Sequence, residues 1–89
     1  MLDYFLKKEL IVKSHIRALE VILHSKDGSA AAEDIRWGAG ADEGIIQDLM
    51  NRGLVEEFLD GNSTRYRLHP VNAFEVVRFF KKRDAKNKY

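Results

Sequence analysis

The chain has 89 residues, 45% of them hydrophobic and 33% charged, with a formal net charge of +1 and no cysteine. That length builds one domain, at a size where a single core is only just sufficient and association adds stability. The lack of cysteine excludes a disulfide framework, a thiolate metal site and a cysteine nucleophile. No apolar run approaches the ~18 residues that span a bilayer, and Met1-Leu2-Asp3-Tyr4-Phe5 lacks the marks of a signal peptide, so a soluble cytoplasmic protein is the expectation.

In chain order, residues 3–25 contain neither Gly nor Pro, and Asp3 offers an N-cap. Val12, Ile16, Leu19 and Leu23 follow the spacing of one helical face. Leu2, Phe5, Leu6, Leu10 and Ile11 exceed that stripe. Either the helix breaks near Ser14 or its first turns pack on another chain, and association is the preferred reading. Lys26-Asp27-Gly28 ends the segment, with Gly28 suited to a left-handed C-terminal position. Ser29 then caps a short helix from Ala30 to about Trp37 whose inward residues include Ala32 and Ile35. Trp37 is expected in the core or against the turn, and Gly38-Ala39-Gly40 forms that turn.

Asp42 caps a further helix, about Glu43 to Arg52, and its carboxylate favours the positive helix end. Ile46 and Leu49 face the core, helped by Ile45 and Met50, and Gly53 stops the helix. Val55 to Leu59 and Thr64 to Leu68 read as strands of a hairpin turned by Asp60-Gly61-Asn62-Ser63. Alternation points Tyr66 and Leu68 one way and Arg65 and Arg67 the other. Pro70 opens a last helix, Val71 to about Arg83, in which Ala73, Phe74, Val76, Val77, Phe79 and Phe80 again exceed one stripe. The tail 84–89 is charged and expected to fray.

The small net charge hides segregation. Residues 1–26 carry five basic and three acidic side chains, residues 27–63 two and nine, and residues 64–89 eight and two, which gives +2, −7 and +6. Two readings follow: the acidic and basic parts attract each other within the fold or across a dimer, or the basic end holds an anionic partner. Catalytic chemistry finds little support. His15, His24 and His69 lack metal-ligand spacing and read as surface or capping residues, and no Gly-rich loop follows a strand. The pairs Asp42-Glu43 and Glu56-Glu57 have no pocket-forming context for acid–base work. No enzyme, metal or cofactor is expected.

Ser29 to Ile35, the turn and cap Ala39-Gly40-Ala41-Asp42, Ile46, Leu49, Gly53-Leu54-Val55 and Tyr66-Arg67-Leu68 together resemble the winged helix-turn-helix family, in particular small regulators of the MarR, ArsR and TrmB kind. The resemblance covers roughly Ser14 to Pro70. It implies an α+β, mostly helical fold with a two-stranded wing: an N-terminal helical extension (1–13), a winged-helix core (14–69), a C-terminal helix (70–83) and a basic tail (84–89). It further implies a dimeric transcriptional regulator of double-stranded DNA, with helix 43–52 as recognition helix. Gly44, Gln47 and Asn51 would face the major groove, where the two amides can pair with adenine; their other reading is as solvated side chains. Arg65 and Arg67 on the wing reach phosphates or a narrow minor groove, or pair across strands with Glu56 or Glu57. Arg36 touches the DNA backbone, and Lys81, Lys82, Arg83, Lys86 and Lys88 add nonspecific contacts. Phe5, Leu6, Phe74, Phe79 and Phe80 form the dimer surface. Glu43 and Asp48 depart from the family pattern, because acid on this helix repels phosphate. The alternative is a winged-helix interaction module that docks this acidic helix on a basic protein partner.

Overall fold

The computed structural model describes residues 2–86. Its elements are α1 (Leu2–Lys7), α2 (Lys13–Leu23), β1 (Ser29–Ala31), α3 (Ala32–Ala39), α4 (Glu43–Asn51), β2 (Val55–Asp60), β3 (Ser63–Leu68) and α5 (Ala73–Lys86). The strands form a three-stranded antiparallel sheet of order β1-β3-β2, so the fold is α+β. Among the described residues, no helix is long and apolar enough to cross a membrane.

The N-terminal segment is two helices: the break weighed near Ser14, the less favoured of the two readings, is present and falls between Lys7 and Lys13. α1 closes at Glu9, which takes φ 58° although it is not glycine. The Leu10 N–H donates to Phe5 O at 2.8 Å and the Glu9 N–H to Leu6 O at 3.1 Å, the paired bonds of a Schellman ending. The chain then turns so that α1 packs on α5, burying Leu2 and Ile11 and half-burying Phe5 and Leu6. This folding back covers Leu2, Phe5, Leu6 and Ile11 of the apolar surplus within one chain, while Leu10 stays 43% exposed. The Arg52 guanidinium lies 5.2 Å from the Phe5 ring centre and closes the edge of that contact.

α2 is the central rod, with Ile16, Ala18, Leu19 and Ile22 buried. Ile35, Ile46, Leu49, Leu54, Val55, Val76 and Phe80 complete the core around it. Full burial of each large aliphatic side chain is worth about 1.5–3 kcal/mol. Ile46 and Leu49 therefore brace α4 as the sequence spacing requires.

Ser29 does not cap a helix. It begins β1, which pairs with β3 in the register Ser29↔Arg67, Ala30↔Tyr66 and Ala31↔Arg65, and α3 starts at Ala32. α3 also runs two residues into the expected turn, ending at Ala39, with Gly40 in the left-handed conformation at φ 64°. Gly38 sits inside the helix and makes a close crossing possible: a β-carbon there would stand 2.9 Å from Val21 Cγ2 of α2. Asp42 caps α4 as expected, its Oδ1 accepting the Ile45 N–H at 3.0 Å.

β2 and β3 form the hairpin with Glu56 opposite Arg67 and Asp60 opposite Ser63. Gly61, the first of the two loop residues, has φ 65°, where tight hairpin turns ask for glycine. Pro70, Val71 and Asn72 form a turn before α5. Asn72 Nδ2 donates to Gly53 O, which ties the start of α5 to the end of α4. α5 stays helical through Lys86, so residues 84–86 of the tail extend the helix. The expectation for Lys88 and the rest of 87–89 lies outside the described residues.

Candidate functional site

α4 presents Gly44, Gln47 and Asn51 at i, i+3 and i+7, and all three are exposed. Gln47 Nε2 donates to Asn51 Oδ1 at 3.2 Å, so the two amides share one bond and keep further donors and acceptors for a partner. Glu43 is exposed in the first turn. α4 packs against β2. Tyr66, buried on β3, has its phenol pushed up first by burial and then by the negative charges of Glu57 and Glu43, so the start of α4 lies close to the hairpin.

Asp48 is not the outward acid that its sequence position suggests. Its Oδ2 accepts from His15 Nε2 at 2.9 Å and from Arg52 Nε at 3.0 Å. The Arg52 hydrogen bond holds the Asp48 carboxyl below its ordinary value; burial opposes this, and His15 adds to the lowering. His15, expected as a surface or capping residue, is 6% exposed and so not at the surface. Its Nδ1 also accepts the Val12 N–H at 3.0 Å, so it caps α2 while it braces α4. With Asp48 half-buried and its charge paired with Arg52, the outward face of α4 keeps Glu43 as its one unpaired acid.

Arg65 and Arg67 diverge in their surroundings. Arg65 is half-buried: its Nε donates to Ser29 Oγ at 2.9 Å, and its Nη2 donates to Ser29 O at 2.9 Å and lies 3.7 Å from Asp27 Oδ1. Asp27 is set by the adjacent Ser29, whose backbone and hydroxyl hydrogen bonds are the main cause of its lowered carboxyl, with Arg65 contributing less. This guanidinium fastens β1 and its preceding turn to β3. Arg67 pairs across strands with Glu56 at 2.6 Å and lies 4.5 Å from the Phe58 ring centre, with its side chain 51% exposed. Both arginines thus link the basic end of the chain to its acidic middle, and Arg67 alone of the pair is open to a partner.

Arg36 is exposed on α3. Trp37 beside it is 84% exposed, so it belongs neither to the core nor to the turn. Of the five expected dimer residues, Phe80 is 2% exposed and belongs to its own chain's core, whereas Phe74 is 74% exposed. Phe5, Leu6 and Phe79 are half-buried against that core. On α5, Arg83 is engaged with Glu20 of α2, while Lys81, Lys82 and Lys86 are exposed. Sequence reasoning missed His15 and Arg52 as supports of α4, and Asp27 and Ser29 as the anchor of Arg65. His15 and Ser29 lie 33 and 36 positions from the residues they bond, so no local spacing signals them, whereas Arg52 stands four residues from Asp48, an i,i+4 pairing open to the sequence.

No family model matches this chain, and no curated protein matches it. Among solved structures, the crystal structure of M. tuberculosis Rv0081 is similar, with a TM-score of 0.69 at 20% sequence identity over 96% of this chain and 87% of that one. At that identity the likeness is one of fold.

Proposed function

We propose that this chain is a winged-helix DNA-binding protein that acts as a dimeric transcriptional regulator, with α4 as the recognition helix and the β2–β3 hairpin as the wing. The observation that carries the reading is the pairing of half-buried Asp48 with His15 and Arg52, which leaves Glu43 as the one unpaired acid beside Gly44, Gln47 and Asn51 on the exposed stripe of α4. Gln47 and Asn51 supply the amide pattern that reads adenine. Arg67 exchanges Glu56 for a phosphate, and Arg36 adds a second backbone contact. Arg65 holds the sheet together rather than touching DNA. Two protomers would address half-sites about 34 Å apart, one turn of the duplex.

Fluorescence anisotropy with random and genomic duplex fragments tests this. Affinity should fall steeply as salt rises, and Arg67→Glu should weaken binding to all sequences. Gln47→Ala with Asn51→Ala should cost about 1–3 kcal/mol on the preferred site alone. Duplex binding that is absent at low salt, or unchanged by Arg67→Glu, overturns the proposal. A second reading draws on the exposed acids Glu43, Asp42, Glu33 and Asp34, which suit a basic protein surface better than phosphate. It predicts no duplex binding at any salt concentration.

A further inference from the structure

Two large aromatic side chains stand in solvent on helices of opposite charge, Trp37 on α3 and Phe74 on α5. Glu33 and Trp37 are four residues apart on α3, with Asp34 beside them, and all are exposed. Phe74, Arg78 and Lys81 stand at i, i+4 and i+7 on α5, with Lys82 flanking, and these too are exposed. Among the described residues, Glu33, Asp34, Arg78, Lys81 and Lys82 take part in no ion pair. The charge segregation of the sequence is therefore only partly satisfied within the chain, through Arg65–Asp27 and Arg67–Glu56. Part of what is left unpaired flanks Trp37 and Phe74, the two most exposed aromatic side chains among the described residues.

We propose that these faces are the two halves of one interface between copies of this chain. α3 of one copy lies against α5 of its partner, with Trp37 on Phe74 and the Arg78 guanidinium, and with Glu33 and Asp34 opposite Lys81 and Lys82. An aromatic face beside carboxylates receives a guanidinium by cation–π attraction and charge pairing together. Pairing α5 with α5, or α3 with α3, sets like charges against each other and is disfavoured. Each copy carries one face of each kind, so a two-fold arrangement uses both and leaves neither to recruit a third chain. Arg36, one residue and about 100° round the helix from Trp37, stays outside the contact. The inference rests on the dimer of the proposed function and assigns that dimer a surface distinct from Phe5, Leu6 and Phe79.

Sedimentation of the full chain tests it, with Trp37, the sole tryptophan, as an internal reporter. The wild type should form a closed dimer, with Trp37 emission shifting to the blue as concentration rises and returning at high salt. Glu33→Lys with Asp34→Lys, and separately Lys81→Glu with Lys82→Glu, should each weaken the homodimer by about tenfold or more, because like charges then face each other. Mixing these two proteins should restore a heterodimer, since both contacts again pair opposite charges. That rescue also shows that the variants are folded. A wild-type monomer, growth beyond a dimer, a dimer indifferent to either reversal, or a mixture that stays monomeric overturns the inference. Duplex binding is read separately by anisotropy. A dimer indifferent to the reversals, in a protein that still binds duplex, removes this interface and leaves the proposed function standing.

Discussion

His15 shows how one side chain decides what α4 offers to a partner. Its Nδ1 accepts the Val12 amide, so its proton sits on Nε2 and is donated to Asp48. Asp48 is thereby drawn toward α2, and Arg52 one turn later completes its neutralisation. Asp48→Ala should cost about 1–3 kcal/mol at neutral pH, because it leaves the buried His15 N–H without an acceptor. The pH dependence follows from the carboxyl being held below its ordinary 3.8 by Arg52 first and His15 second. A carboxylate lowered on folding contributes its full stability above the unfolded value and loses it as pH falls through the folded value. The gap in urea midpoint between wild type and variant should therefore be widest near pH 7 and shrink below about pH 4. A gap that stays constant down the series would show that Asp48 stabilises by packing rather than by charge.

Among the elements, legibility followed the range of the deciding interaction. Asp42, Gly53 and Gly61 act through bonds within a few residues, so α4 and the hairpin lie close to where the spacing puts them. β1 was illegible because Ser29-Ala30-Ala31 has no strand preference of its own; its partners are Arg67, Tyr66 and Arg65 at the far end of the chain. Trp37 misled because bulk and apolarity predict burial, whereas α3 turns Ile35 inward and leaves position 37 outside. The break after α1 was hidden differently: a glutamate, not a glycine, takes the left-handed ending. A non-glycine residue there costs about 1–2 kcal/mol, part of which glycine would return to the unfolded state as extra freedom. Glu9→Gly should accordingly raise stability by roughly 0.5–1 kcal/mol and leave the spectrum of the native state unchanged. A fall in the thermal midpoint would mean that the Glu9 side chain makes a contribution larger than the strain.

For the molecule as a whole, the open question is whether α1 and α5 are appendages or part of a single cooperative unit. α5 sends Val76 and Phe80 into the core around α2, Arg83 binds Glu20, and Asn72 holds Gly53 at the end of α4. α1 is joined to this framework through Leu2, which is 2% exposed, and through Phe5 beneath Arg52. A domain of this size has a total stability of about 4–13 kcal/mol. Leu2→Ala removes a fully enclosed side chain, and such cavities cost about 2–5 kcal/mol, a large share of that total. If the elements unfold as one unit, the variant should show a single urea transition with a lowered midpoint and an unchanged slope. An appendage behaves otherwise: α1 melts early, the main midpoint stays where it was, and the slope of the main transition falls because less surface remains to be exposed. The shared core around α2 and the ties from α5 to α2 and α4 require the first outcome. Loss of Leu2 should then be felt as far away as α4, where protection of the Ile46 and Leu49 amides from hydrogen exchange should fall together with global stability.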